Sequence, residues 1–184
     1  MPSGTSSDSI CFQCKNNPLL SIDLVRSAAY FEDSPLRPAI HALKYKGRKV
    51  VAQELAEILA EACERFGLGA DIMMPVPLHQ ARLRKRGFNQ SELLARSLSK
   101  LNNISLDTQA LIRTRATKSQ MELSAGERHE NVKDAFECCR SVTGQTVLLI
   151  DDVCTTGSTL DYCATALKAN GAKTVIGLTL ARAR

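Results

Sequence analysis

This sequence predicts an α/β fold built on a mainly parallel central sheet flanked by helices, and three observations carry that expectation. Short apolar runs alternate along the chain with longer stretches of helical periodicity, the order that builds strand–helix–strand units. No internal repeat and no linker interrupts the alternation, so one domain is expected. One run, Val147 to Ile150, passes directly into two carboxylates and a hydroxyl-rich turn around a glycine, VLLIDDVCTTGST over 147–159, before helical spacing resumes. Ligands of open α/β sheets sit at such carboxyl ends of strands.

The elements follow in order. Residues 1–10 are rich in Ser and Gly and are expected to be disordered. Arg26 to Phe31 suits a strand, and Pro35 to Tyr45 a short helix ending near Gly47. Val50, Val51, Leu55, Ile58, Leu59, Ala62 and Phe66 recur at helical spacing until Gly67 and Gly69 stop the pattern. Ile72 to Val76 is an apolar strand, followed by a loop carrying Arg82, Arg84, Lys85 and Arg86. The next helix starts near Asn89 with Leu93, Leu94, Leu98 and Leu101 as its buried face. Ala110 to Ile112 and Thr174 to Leu180 read as strands, and between them Arg113 to Phe136 is long and polar, the pattern of a lid or binding loop. The helix after the glycine turn runs from Thr159 through Ala166 to Leu167.

Composition fits one globular domain. The 184 residues are 44% hydrophobic and 23% charged, enough apolar side chain for a single core. No apolar run approaches the roughly 20 residues that span a bilayer, and the start lacks the basic region and apolar core of a secretory signal, so a cytoplasmic location is expected. Seven cysteines, an odd number at irregular spacings, argue against a disulfide framework. His41, His79 and His129 are too far apart in sequence to suggest a metal cluster, and Cys154 has hydroxyl and carboxylate neighbours rather than a base, so it reads as a filler of its turn.

The turn at 151–159 carries the chemistry. Gly157 lets main-chain N–H groups approach a ligand, and Thr155, Thr156, Ser158 and Thr159 add hydroxyls at a helix N-terminus, where a phosphate is favoured. Ionised Asp151 and Asp152 would repel that phosphate on contact. They suit the neutral hydroxyls of a sugar, or a hydrated Mg²⁺ held through water or ligand. The turn has no lysine after a glycine, so it is not a Walker A loop, and it lacks the G-x-G-x-x-G of dinucleotide folds.

The string VLLIDDVCTTGST resembles the phosphoribosyl pyrophosphate (PRPP) motif of type I phosphoribosyltransferases. LKYKGR at 43–48, MPVPLHQARLRKRGFNQS at 74–91 and RTRATKSQMELSAGERHENVKDAF at 113–136 narrow the resemblance to the ComF/GntX branch. It covers nearly the whole chain from about Ser27, with RGFNQ and DDVCTTGST the specific parts. The resemblance implies a type I phosphoribosyltransferase-like fold over 26–184, with a small N-terminal hood reaching residue 48. It implies that Asp151 and Asp152 serve catalysis, that Thr155, Thr156, Gly157, Ser158 and Thr159 bind the 5-phosphate, and that Pro77, Leu78, His79, Arg82 and Arg86 bind pyrophosphate. Arg113, Arg115, Thr117, Gln120 and Arg128 fall on the family's flexible loop. Mg²⁺ would arrive with PRPP. Relatives carry an N-terminal zinc ribbon, but here Cys11 and Cys14 form a single C-x-x-C pair, and two ligands do not make a structural Zn²⁺ site. A degenerate remnant over residues 1–25 is the favoured reading.

Two function classes remain open at this stage. One is transfer of phosphoribosyl from PRPP to a nitrogen acceptor with release of pyrophosphate, where His41, Lys44 and Tyr45 of the hood are candidate acceptor contacts. The other is a non-catalytic protein of the same fold that binds a phosphoribosyl nucleotide, DNA-uptake proteins or single-stranded DNA. The net charge of +5 permits the second, but with 4% aromatic residues the sequence shows no interleaving of basic and aromatic side chains of the kind that stacks single strands. Acceptor and oligomeric state are left open.

Overall fold

The computed structural model describes residues 21–31, 35–45, 50–115 and 135–183. Its main sheet is entirely parallel, with spatial order β1-β7-β6-β2-β3. The strands are β1 (Leu24–Tyr30), β2 (Ile72–Pro75), β3 (Ser105–Leu106), β6 (Thr146–Cys154) and β7 (Thr174–Arg182). A separate antiparallel pair joins β4 (Leu111–Arg113) to β5 (Phe136–Cys138).

Consecutive strand residues face opposite sides of a sheet, and this alternation sorts the core into two layers. Leu148, Ile150, Met73, Leu178 and Leu180 pack against helices α1 (Leu36–Tyr45), α2 (Val51–Phe66) and α4 (Gln90–Asn102). Val147, Leu149, Met74 and Val175 pack against Leu160, Cys163, Ala164 and Leu167 of α5 (Ser158–Ala169) and against the β4–β5 pair. A sheet covered on both faces needs strands that are apolar at every position, and Val147 to Ile150 are all buried. Asp161 fastens the approach to β1: its Oδ1 accepts from the backbone N–H groups of Ser21 (2.8 Å) and Ile22 (3.0 Å).

The long apolar-periodic segments form as expected, and four details differ. The stretch after Val76 is not all loop, because Gln80–Arg86 winds into a seven-residue helix, α3, capped by the His79 ring, whose Nδ1 accepts from Ala81 N–H at 3.2 Å. QARLRKR buries no residue, so it has no apolar stripe by which a helix would be recognised. In α4 the buried residues are Leu94, Ala95 and Leu98, while Leu101 is 48% exposed. That helix ends beside β3, whose two residues offer little surface to cover its last turn. Val50 is exposed and precedes the first turn of α2. Arg113, expected on a flexible loop, ends strand β4 and is buried, with its guanidinium carbon 5.2 Å from the centre of the Phe136 ring.

Candidate functional site

The site begins where β6 runs out of apolar residues. Asp151 and Asp152 are still within the strand, so their side chains leave the backbone on opposite faces and meet different neighbours. Asp151 Oδ1 accepts from the Ser91 hydroxyl at 2.8 Å and from the Asp152 N–H at 2.9 Å. Asp152 is buried; its Oδ1 accepts from the Val153 N–H at 2.8 Å, and its Oδ2 lies 2.7 Å from Lys44 Nζ of α1. The Lys44 contact is an ion pair without hydrogen-bond alignment.

Two adjacent carboxylates taken out of water cannot both be comfortable as anions. Burial first, and the neighbouring Asp152 charge second, push the Asp151 carboxyl up to about 7, against the opposing pull of the Ser91 hydrogen bond and the Lys44 charge. Arg113 belongs to the same electrostatic neighbourhood. Burial, then the charge of Arg82, holds its guanidinium below the ordinary arginine range, while Asp151 acts in the opposite sense. The Cys163 thiol of α5 is pushed well up, by burial and then by Asp151, which keeps it a neutral packing group.

The glycine turn follows at once. Gly157 has φ +85°, a left-handed conformation that side-chain-bearing residues rarely adopt, and it opens α5. Its carbonyl accepts from the Asp161 N–H at 3.0 Å, closing the first turn of the helix. The Thr156 and Ser158 hydroxyls are 2.8 Å apart, and Thr155, Thr156 and Thr159 are half-buried around the helix start. A helix N-terminus carries N–H groups without intrahelical partners and a positive dipole end. The sequence-predicted acids and hydroxyls are thus brought into one continuous strand–turn–helix unit.

The second element is seated by residues whose role the sequence reading missed. Asn89 caps α4, with Oδ1 accepting from Ser91 N–H at 3.1 Å, and its Nδ2 donates to the carbonyl of Val76 at 3.0 Å. Val76 N–H in turn donates to Ile150 O at 2.9 Å, so the RGFNQS segment is bolted to the end of β2 and hence to β6. Ser91 then reaches Asp151 from the first turn of α4. The available signal was Asn followed by Gln and Ser at the start of a helical pattern, an N-cap that fixes which residues occupy the first turn. Arg86, a predicted pyrophosphate contact, donates to the Gln90 side chain. Pro77, Leu78 and His79 are half-buried and link β2 to α3 at this end of the sheet, and Arg82 is half-buried beside Arg113.

Other predicted residues fall elsewhere. Arg115 is exposed just beyond β4. Thr117, Gln120 and Arg128 of the loop, and Cys11 and Cys14 of the ribbon, lie outside the described residues. Lys44, a candidate acceptor contact on sequence, is turned onto Asp152, and His41 is exposed. Among the described residues no group of three or more His, Cys, Asp or Glu side chains could hold a metal ion. No described helix is long and apolar enough to cross a membrane.

Comparison with known proteins gives this geometry a family. Residues 37–184 match the model of the phosphoribosyl transferase domain. The DNA utilization protein YhgH of Escherichia coli (strain K12) is 41% identical over 170 residues, covering 90% of this chain and 74% of that protein. Competence protein F of Haemophilus influenzae is 33% identical, covering 81% of this chain and 69% of its own length. Competence protein ComFC of Bacillus subtilis is 31% identical over 115 residues, 60% of this chain and 44% of that protein. Among solved structures, the glutamine phosphoribosylpyrophosphate amidotransferase from B. subtilis aligns with a TM-score of 0.47 at 21% identity, over 69% of this chain and 25% of that one. On the domain match and the relatives, the chain belongs to the phosphoribosyl transferase domain family, in its ComF branch.

Proposed function

We propose that this protein binds PRPP and transfers its phosphoribosyl group to a nitrogen acceptor, releasing pyrophosphate, in a cytoplasmic role tied to DNA uptake. The observation that carries the reading is the unbroken unit of β6, Asp151, Asp152, Gly157 and the start of α5, which sets two carboxylates directly before a helix N-terminus flanked by hydroxyls. In this reading Asp151 and Asp152 orient the ribose diol and stabilise the positive charge that builds on the ribose ring as the bond to pyrophosphate breaks. Residues 155–159 fix the 5-phosphate, so the anomeric carbon is held at a set distance from the acids. Pro77, Leu78, His79, Arg82 and Arg86, in the loop and short helix that follow β2, receive the pyrophosphate.

The residues present suit a Mg²⁺ carried by the ligand. Two carboxylates, one already facing an ammonium, do not make an all-protein cage, whereas Mg²⁺ that keeps its waters and binds substrate phosphates needs no more than that. When bound, it would neutralise charge on the departing pyrophosphate. A screen of nucleobases and amines for PRPP-dependent pyrophosphate release is the test. Release with one acceptor class establishes transfer and names the acceptor. Binding of PRPP with no release across the screen would instead favour the non-catalytic reading.

That second reading, contact with single-stranded DNA, is supported by one feature the sequence did not disclose. Arg26 and Arg65 both stack on the Phe66 ring, at 5.7 Å and 4.6 Å, Arg37 lies 5.6 Å from the Phe31 ring, and Tyr30 is 56% exposed. These are two separate contacts, Arg26 and Arg65 on Phe66 and Arg37 on Phe31, and side chains that pair a cation with a ring are of the kind that stacks bases. Arg26→Glu/Arg65→Glu should weaken binding to single-stranded oligonucleotides and flatten its salt dependence by about two units of slope, on the order of one per lost phosphate contact. Equal binding by wild type and variant at low salt removes these contacts from the account.

A further inference from the structure

The environment of Asp152 poses a question that sugar recognition alone does not answer. Its side chain is 5% exposed, its Oδ1 is engaged by the Val153 N–H, and its buried Oδ2 receives no aligned hydrogen bond. What compensates the carboxylate is the Lys44 ammonium, 2.7 Å away and itself 23% exposed. Lys44 stands near the end of α1, a helix anchored by the fully buried Ile40 and Leu43, so the position of its cation is set by core packing. Asp151 faces the other way and is served by Ser91, which carries no charge. Within the pair, then, the direct ion pair is made to one acid, while the Lys44 and Arg113 charges act on Asp151 without touching it. Paired buried carboxylates ordinarily need such a cation, and in many proteins a bound metal ion supplies it.

We infer that Lys44 is the resident cation of the sugar subsite: by standing at Asp152 it lets the two acids receive ribose hydroxyls without a metal ion bound to them. The inference rests on the phosphoribosyl reading and adds a division of labour to it. Any divalent ion would then come in with the pyrophosphate and stay with it. The ammonium occupies the buried Oδ2, so a sugar hydroxyl would be received at the half-buried Asp151 and at Asp152 Oδ1, which keeps a lone pair beside the Val153 N–H. Lys44 is a positioning residue acting through Asp152, and its position argues against the acceptor contact expected on sequence. Without Lys44 the acids would repel each other, and a divalent ion would be needed to hold the pair together.

Ribose 5-phosphate is the discriminating probe, because it offers the sugar and the 5-phosphate but no pyrophosphate to carry a metal. Its binding to the full chain would be measured by calorimetry in EDTA and in saturating Mg²⁺, for wild type, Lys44→Met and Lys44→Arg. Wild type and Lys44→Arg should bind equally in both media. Lys44→Met should bind on the order of tenfold more weakly in EDTA and recover in Mg²⁺. Recovery by the ion is a readout that a merely structural role would not produce, and it also shows that the variant is folded. The inference is overturned if wild type itself requires Mg²⁺, if Lys44→Met binds as wild type does in EDTA, or if its loss is the same in both media. Should ribose 5-phosphate fail to bind wild type while Mg²⁺-loaded PRPP binds, the inference falls and the phosphoribosyl reading stands. If neither ligand binds, the reading falls too.

Discussion

Asp151 and Asp152 are neighbours in sequence with unlike surroundings, and the difference makes a prediction about stability. Asp151 is the acid whose carboxyl is raised, so the folded state holds a proton that the unfolded chain, with an ordinary carboxyl near 4, has already released at neutral pH. The folded state therefore binds more protons than the unfolded one between about pH 4 and pH 7, and stability falls as pH rises through that window. Asp151→Asn keeps an oxygen for the Ser91 hydroxyl and removes the ionisation. At about pH 8 it should be more stable than wild type by about 1 kcal/mol or more, a rise in Tm of roughly 2–4 °C for each kcal/mol, and at about pH 4 the gain should vanish. Thermal melts at the two pH values check this, and a gain of the same size at both would show that burial of the charge is not its origin. That these two acids stand at the end of an apolar run, ahead of the glycine turn, was legible in the sequence. Their partners were not: Lys44 and Ser91 reach them from α1 and α4, and a sequence read without contacts places neither there.

The strands and helices position these residues through a few bonds at their ends. Asn89 has two jobs, capping α4 and holding the carbonyl of Val76, so Asn89→Ala should cost about 1–2 kcal/mol for the cap and a further kcal/mol or so for the buried carbonyl. Denaturant unfolding measures the loss. Asn89→Asp, which retains the capping oxygen and lacks the amide donor, should fall between the two, and a result equal to alanine would deny the cap its part. Gly157→Ala puts a side chain on φ +85° at the entry to α5 and should cost about 1–2 kcal/mol while weakening ligand phosphate binding more than it weakens folding. Wherever an element was long and carried a stripe, as α2 does with Leu55, Leu59 and Ala62, periodicity sufficed to find it. Helix α3 buries no side chain and is held by its His79 cap and by Gly87 in a left-handed conformation, so it left no periodic trace. Strands β3, β4 and β5 are two or three residues long, too short for a period of two to declare itself.

At the scale of the whole molecule, the parallel sheet makes the site a property of topology. In the order β1-β7-β6-β2-β3, the ends of β6 and β2 lie side by side, with Pro75 in register with Ile150. The turn after one strand and the loop after the other therefore open on the same edge, the arrangement in which α/β sheets hold ligands. Alternation of strands and helices made the parallel sheet legible from sequence, and the family resemblance supplied the assignment of the two loops. The contacts of Arg26 with Phe66 and of Arg37 with Phe31 were invisible for the converse reason: each is made only by the packing of separate segments of the chain. The central claim is that the strand–turn–helix unit at 147–159 is a PRPP site, and calorimetric titration of Mg²⁺-loaded PRPP into wild type and into Asp151→Asn/Asp152→Asn tests it most directly. The account predicts saturable binding by wild type and a loss on the order of a hundredfold or more in the double variant, consistent with two charge-assisted hydrogen bonds removed. A wild-type protein that does not bind PRPP, or a folded double variant that binds it equally well, would contradict it.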